Sequence, residues 1–186
     1  MLPHLTLPSP RILNKIHMID QKSLSKMPQE RAEVPLQIWA LWGLGFENAP
    51  RMQKTCLWSH KAANPTFTTR VLDLQSAINL IDVFSVIEKK SFYKMSIQHT
   101  SDVIRYLLLY KYGGVWADAT LCMIEGLEHW LHMDVDFTTL IMHNTLIEPR
   151  PITHMMANYF MVSRPQGVVI SALRKAVINY LKERGR

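Results

Sequence analysis

One stretch of twenty residues, 101–120 (SDVIRYLLLYKYGGVWADAT), constrains the fold more than any other part of the chain. In its first half, apolar residues recur every three or four positions, which predicts a helix over 102–112 with one buried face. Gly113 or Gly114 can take the positive φ that ends a helix. The apolar residues that follow predict a short buried strand at 115–118. Helix, turn and strand in such close succession are typical of an α/β protein.

The rest of the chain alternates in the same way. Apolar runs predict the other strands at 36–41, 69–74, 138–142 and 159–163. Helical periodicity predicts further helices at 50–62, 76–89, 127–133 and 168–186, and Thr100 or Ser101 is the expected cap of the 102–112 helix. Strands separated by helices favour a parallel or mixed sheet flanked by helices. We therefore predict one α/β domain over 34–186, after a proline-containing N-terminal arm at 1–33.

Length and composition fit an enzyme domain of ordinary size. The chain has 186 residues, of which 48% are apolar and 19% charged, so a single core is expected. No apolar run approaches the roughly 20 residues that span a bilayer, and the first residues lack the apolar core of a signal peptide. Cys56 and Cys122 show no paired spacing, so reduced thiols are expected. These features predict a cytoplasmic protein.

The formal charge of +6 leaves the class of partner open at first. The basic residues are scattered and are not interleaved with aromatic residues, so nucleic acid is not the expected partner. The predicted helix at 168–186 has an apolar side and a basic side. It is interpreted as a core-packing helix with a solvated basic face, and peripheral contact with the inner face of a membrane is the alternative.

Three charged residues mark a candidate site in the 101–120 stretch. Asp102 and Arg105 are three positions apart and share one helix face. Asp118 stands where the next strand ends, and ligands collect at the carboxyl ends of strands in such sheets. A carboxylate there can hold Mg²⁺ or Mn²⁺, since these cations often use one or two protein carboxylates and complete their shell with phosphates and water. The alternative for Asp102 and Arg105 is an ordinary surface ion pair.

This stretch resembles the Ser-Asp-x-x-Arg, Tyr-Gly-Gly and Asp-x-x block of a DXD-containing glycosyltransferase family that includes capsular polysaccharide synthesis proteins. Ile38, Trp39, Trp42 and Gly45 are similar to the family's opening Ile-Trp-x-x-Trp-x-x-Gly motif. The resemblance covers about residues 34–163 by inspection. It implies a GT-A-like (Rossmann-like) fold, a mixed sheet flanked by helices.

The family resemblance also implies a function. It implies transfer of a sugar from a nucleotide-sugar donor, a UDP-sugar, to a saccharide or lipid-linked saccharide acceptor in capsular or other surface-polysaccharide synthesis. Asp102, Arg105 and Asp118 would be the catalytic residues of a retaining, metal-assisted hexosyltransferase, with Asp102 and Arg105 on the hydroxyls of the donor sugar. Asp118 would hold Mn²⁺ or Mg²⁺ against the diphosphate. No residue can be assigned as nucleophile or general base.

Four further residues belong to the expected donor site. Trp42 follows the first strand and can face the nucleotide base, and Thr120 can add a hydroxyl near the metal. Asp73 is expected on the ribose or base, although an aspartate at a strand end is as often a turn former. Asn158 precedes a late strand and resembles a family position. Trp39 is expected in the core.

The sequence departs from the family pattern in two ways. Thr120 replaces the second acid of the Asp-x-Asp motif, which weakens the expected metal site. The chain is also shorter than usual for the family, so a C-terminal truncation is expected. An inactive donor-binding relative and a peripheral membrane interaction protein are therefore the alternative functions. His129 and His132 are three apart, but no third zinc ligand follows at a suitable spacing.

Overall fold

A computed structural model describes residues 33–143 and 154–184. The first helices and strands are β1 (Gln37–Leu41), α1 (Arg51–Ala63), β2 (Thr68–Leu72), α2 (Leu74–Ile81) and α3 (Lys89–Phe92). They are followed by α4 (Ile97–Tyr112), β3 (Gly114–Ala117), β4 (Phe137–His143), β5 (His154–Ser163) and α5 (Val168–Arg184). The predicted arm at 1–33 lies outside the described residues except for Glu33, so its boundary stays a prediction.

The five strands form one mixed sheet in the order β2-β1-β3-β5-β4. β1 is parallel to both of its neighbours, whereas β5 runs antiparallel to β3 and to β4. The parallel pairs need crossover connections, and α1 to α4 provide them. The predicted α/β class with a mixed, helix-flanked sheet is confirmed.

Both faces of the sheet are covered. Alternate residues of a strand point to opposite faces, so Trp39 and Leu41 join the core beneath α2, α4 and α5, while Ile38 and Ala40 lie on the other face. Trp39 is 3% exposed, which confirms the predicted core position, and its indole Nε1 donates to Gly113 O at 2.9 Å.

The turn between α4 and β3 depends on its two glycines. Gly113 and Gly114 have φ values of 63° and 95°, in the region that favours glycine, as the sequence predicted. A Cβ on Gly114 would lie 2.5 Å from Gln37 O of the neighbouring strand. The turn therefore brings β3 directly beside β1 at the end of α4.

Three helix predictions are wrong in extent. The helix expected at 102–112 begins five residues earlier, at Ile97, because Ser96 and not Thr100 or Ser101 is its cap, accepting from His99 N. The helix expected at 76–89 breaks at Asp82, whose φ of 48° is left-handed. The helix expected at 127–133 is a single 3-10 turn, Leu127–His129.

No helix within residues 33–143 and 154–184 is both long and apolar enough to cross a bilayer. The terminal helix packs its apolar side into the larger core through Ile170 and Ile178. This packing agrees with the interpretation of α5 as a core helix with a solvated basic face.

Candidate functional site

A cleft of about 750 Å³ opens at the carboxyl ends of β1 and β3, and we call it the main cleft. The residues that follow these two strands form one side of it, and the first two turns of α4 form another. Asp102, Arg105 and Asp118 all line it, as do Trp42, Thr120 and Asn158. The structure thus brings together six of the seven residues predicted for the site.

Arg105 lies at the centre of these residues and is 3% exposed. Its Nη2 donates to Asp118 Oδ1 at 3.2 Å and lies 3.3 Å from Asp102 Oδ1. Its Nη1 donates to the backbone oxygen of Asn158. The alternative of an ordinary surface ion pair is wrong for this residue, because the guanidinium is buried and is shared between three elements.

Asp118 follows β3 directly, and its position is fixed by its backbone and by one carboxylate oxygen. Asp118 N donates to Tyr159 O at 2.9 Å, which continues the pairing of β3 with β5. Oδ1 accepts from Arg105 and also from Trp116 Nε1 at 2.7 Å. Burial raises the pKa of the Asp118 carboxyl above its ordinary value, and the charge of Arg105 and the bond from Trp116 oppose that rise.

Trp116 is a part of the site that sequence reasoning missed. Its side chain is 1% exposed, and its ring lies 5.1 Å from the guanidinium carbon of Arg105. The period of a strand could have identified it, because residues two apart in a strand point to the same face, and this places Trp116 beside Asp118. The indole thus contacts both charged partners, Arg105 through its face and Asp118 through its N–H.

Asp102 and Asn158 join the helix to the late strand β5. Asn158 Nδ2 donates to Asp102 Oδ1 at 3.2 Å, so the same oxygen serves Arg105 and Asn158. The side chain of Asp102 is 33% exposed and that of Asp118 is 29% exposed. Each carboxylate therefore uses Oδ1 within the protein, and each retains exposed surface on which a ligand can bind.

Asp73 differs from the other predicted site residues, because it does not line the main cleft. Its carboxylate accepts from Ser76 N at 2.7 Å and from Ser76 Oγ at 2.9 Å, which makes it the cap of α2. The hydrogen bonds from Ser76 lower the pKa of the Asp73 carboxyl. The next residue, Leu74, does line the main cleft, and a role for Asp73 in donor binding stays a prediction.

The segment after Asp118 is held against α1 by several hydrogen bonds. His60 Nε2 lies 2.7 Å from Leu121 O, and Met123 N donates to Ser59 Oγ at 2.8 Å. Cys56 Sγ lies 3.7 Å from the backbone oxygen of Thr120. These contacts fix the chain between Thr120 and Met123, and so they support one edge of the main cleft. Cys56 and Cys122 are both free, Cys56 buried and Cys122 exposed.

His60 is expected to make stability depend on pH. Burial lowers the pKa of its imidazole below the ordinary value, although Leu121 O partly opposes this. The unfolded chain therefore takes up the proton first as pH falls. The contribution of neutral His60 is complete above about pH 6.5 and is lost progressively below it. His60→Gln keeps a donor toward Leu121 and does not titrate.

Urea unfolding of wild type and His60→Gln at a series of pH values measures this effect. The wild type should lose stability relative to the variant as pH falls below about 6.5. His129→Gln is the control, because that ring is largely exposed. Parallel curves for wild type and His60→Gln would show that His60 is not the titrating group.

No group of three or more histidine, cysteine or acidic side chains suited to a metal occurs within residues 33–143 and 154–184. His129 instead contacts Glu125 at 3.3 Å. A zinc site built on His129 and His132 therefore gains no support. Asp118 with Thr120 stays the predicted site for a cation whose coordination shell is completed by the oxygens of a bound ligand.

The fold belongs to a class that includes a glycosyltransferase. The solved structure of PaToxG Glycosyltransferase superimposes with a TM-score of 0.53 over 95% of this chain and 69% of that chain, at 18% identity. At this identity the likeness shows the fold alone. The chain itself belongs to the capsular polysaccharide synthesis protein family, whose model matches residues 9–186.

Two relatives by sequence carry transferase names. "Glycosyltransferase afumC" of Aspergillus fumigatus is 34% identical over 101 residues, which are 49% of this chain and 26% of that protein. "O-glycosyltransferase braB" of Annulohypoxylon truncatum is 28% identical over 139 residues, which are 68% of this chain and 33% of that protein. The chain thus spans about a quarter to a third of the length of these relatives.

Proposed function

We propose that this protein transfers a sugar from a nucleotide-sugar donor, a UDP-sugar, to a saccharide or lipid-linked saccharide acceptor in capsular or other surface-polysaccharide synthesis. The observation that carries the proposal is the convergence of Asp102, Arg105 and Asp118 on one cleft through a single guanidinium nitrogen. The family and the names of the two relatives support a transferase. The choice of a UDP-sugar as donor comes from the resemblance of residues 101–120 to the motifs of the glycosyltransferase family.

The arrangement suits a sugar because its polar groups are held in advance. The carboxylate of Asp102 accepts from sugar hydroxyls, that of Asp118 supports the cation, and Arg105 fixes both carboxylates through Oδ1. Both Nη groups of Arg105 donate to oxygens of the protein. Arg105 therefore acts on the donor chiefly by orienting these two acids. Groups held in place can recover several kcal/mol of a reaction barrier.

The residues fit a divalent cation that binds together with the donor. Oδ1 of Asp118 is engaged by Arg105 and Trp116, and the carboxylate retains exposed surface for an oxygen-preferring cation. Asp118, with Thr120 beside it, would hold Mn²⁺ or Mg²⁺, and the donor phosphates would complete the shell. When bound, such a cation neutralises the charge that develops on the departing diphosphate.

The rest of the main cleft suits the nucleotide. Leu41, Leu44, Leu74 and Ile97 give it an apolar wall, and Trp42 offers an aromatic ring on which a base can stack.

Retention of configuration is part of the proposal. The acceptor oxygen bonds to the anomeric carbon from the side that the diphosphate leaves. The bond to the diphosphate breaks with its electron pair on the leaving oxygen, which also takes the hydroxyl proton.

Thermal unfolding with a panel of nucleotide sugars tests this proposal. A UDP-sugar at 100 times its Kd should stabilise the folded chain by about 2.7 kcal/mol. For a chain of this size that corresponds to a rise in Tm of roughly 5–10 °C. The shift should be larger with manganese than with EDTA, and GDP-mannose and ATP serve as controls.

Two outcomes would change the proposal. A UDP-sugar that binds but is neither hydrolysed nor transferred would favour the alternative of an inactive donor-binding protein. Thr120 is the reason for this alternative, because it replaces the second acid of the Asp-x-Asp motif. If no nucleotide sugar stabilises the chain at millimolar concentration, the transferase proposal is overturned.

A further inference from the structure

A second cleft, of about 420 Å³, lies between α3, α4 and α5. Asp102 lines both this second cleft and the main cleft. Asp102 is therefore the residue that the two clefts share. Asp102 Oδ1 also lies 3.3 Å from Arg105 Nη2, which in turn donates to Asp118.

The second cleft combines an apolar floor with a rim that carries one lysine and one histidine. Met95, Val103, Val177 and Leu181 are half-buried or buried and supply the apolar surface. Lys94 and His99 are exposed at its rim. Asp102 is its one acidic lining residue, and within the described part of the chain Lys94 has no ion-pair partner. Lys94 beside this apolar floor offers a partner for an anionic group attached to an apolar segment.

The position of the second cleft points to a role in the reaction, and this inference rests on the proposed function. A transferase must bring two substrates to one carbon atom, and the acceptor must enter from a side that the donor does not fill. We infer that the second cleft binds the acceptor, and that this acceptor carries a negatively charged group, such as a phosphate, next to an apolar chain. Lys94 then contacts the anion, and the reacting hydroxyl is directed toward Asp102.

Octyl phosphate is a simple probe of this chemistry. Methionine methyl groups labelled with ¹³C report on the cleft directly, because Met95 lines it while Met161 is buried in the core. A saturable shift of the Met95 signal is expected with octyl phosphate. Octyl glucoside, which lacks the charge, and inorganic phosphate, which lacks the chain, should each bind at least about fivefold more weakly.

Two lysine variants separate a specific site from general attraction. Lys94→Ala should weaken octyl phosphate binding roughly three- to tenfold. Lys90→Ala also removes one positive charge, but Lys90 lies in α3 and does not line the second cleft. The affinity of this variant for octyl phosphate should equal that of wild type. Equal effects of the two variants, or equal binding of all three probes, would overturn the inference.

A competition with UDP and manganese distinguishes this inference from the proposed function. Octyl phosphate and UDP should bind together, because they occupy different clefts. Displacement of octyl phosphate by UDP would place the probe in the main cleft and would overturn the inference. If UDP does not bind at all, the donor assignment fails, and the acceptor role fails with it even where the Met95 signal still shows an amphipathic anion in the second cleft.

Discussion

Asp118→Asn is expected to fold and to lose almost all donor turnover. Asparagine keeps the shape of the side chain and an oxygen for Trp116, but it removes the negative charge that supports the cation and orients the donor. Loss of one such electrostatic group lowers kcat by roughly 10²–10³-fold. Asp118→Ala should have at least as large an effect.

The measurement is release of UDP from a UDP-sugar, with circular dichroism and Tm recorded to verify folding. Asp134→Asn is the matched control, since Asp134 is exposed and lies outside the main cleft. The manganese-dependent rise in Tm with UDP should also shrink in Asp118→Asn and persist in the control. Turnover within about threefold of wild type would remove Asp118 from the site, because a group of this kind contributes far more.

Replacement of Arg105 is expected to reduce stability as well as activity. Arg105→Met keeps much of the apolar stem but leaves Asp102, Asp118 and the Asn158 carbonyl without their shared donor. Breaking a fully buried pair costs about 3–5 kcal/mol, and here about 2–3 kcal/mol is expected because water reaches the two carboxylates. Arg105→Lys should rescue little, since an ammonium cannot bridge the same acceptors.

A double-mutant cycle gives the sharper test. Arg105→Met, Asp118→Asn and the double variant are compared by urea unfolding. The double variant should be more stable than the sum of the single effects predicts, by at least about 1 kcal/mol, because the two side chains interact directly. Arg51→Met, an exposed arginine at the start of α1, serves as the control. Additive effects would show that the contact between Arg105 and Asp118 contributes no coupling.

These two experiments examine different properties of the same group of residues. Asp118 is expected to act on the ligand, and Arg105 is expected to hold the acids in place. A variant of Asp118 should therefore change turnover more than stability, while a variant of Arg105 should change both.

The order of strands and helices could be predicted from local patterns. The alternation of apolar runs with helical periodicity around Ile38, Ile104 and Val115 gave the α/β class. Helix ends were predicted less well. Ser96 competes with Thr100 and Ser101 as a cap, and the left-handed Asp82 has no clear signature before the packing around it is known.

The sequence by itself determined that Asp102 and Arg105 share a helix face and that Asp118 follows a buried strand, because helical and strand periodicity fix the direction of nearby side chains. Only the tertiary structure decided that Arg105 is buried, that Trp116 and Asn158 join it, and that Asp102 faces two clefts. Asn158 lies 53 residues from Arg105, and the contact exists because β5 pairs with β3. Strand order and helix packing arise from long-range burial of apolar surface, which local sequence periodicity does not record.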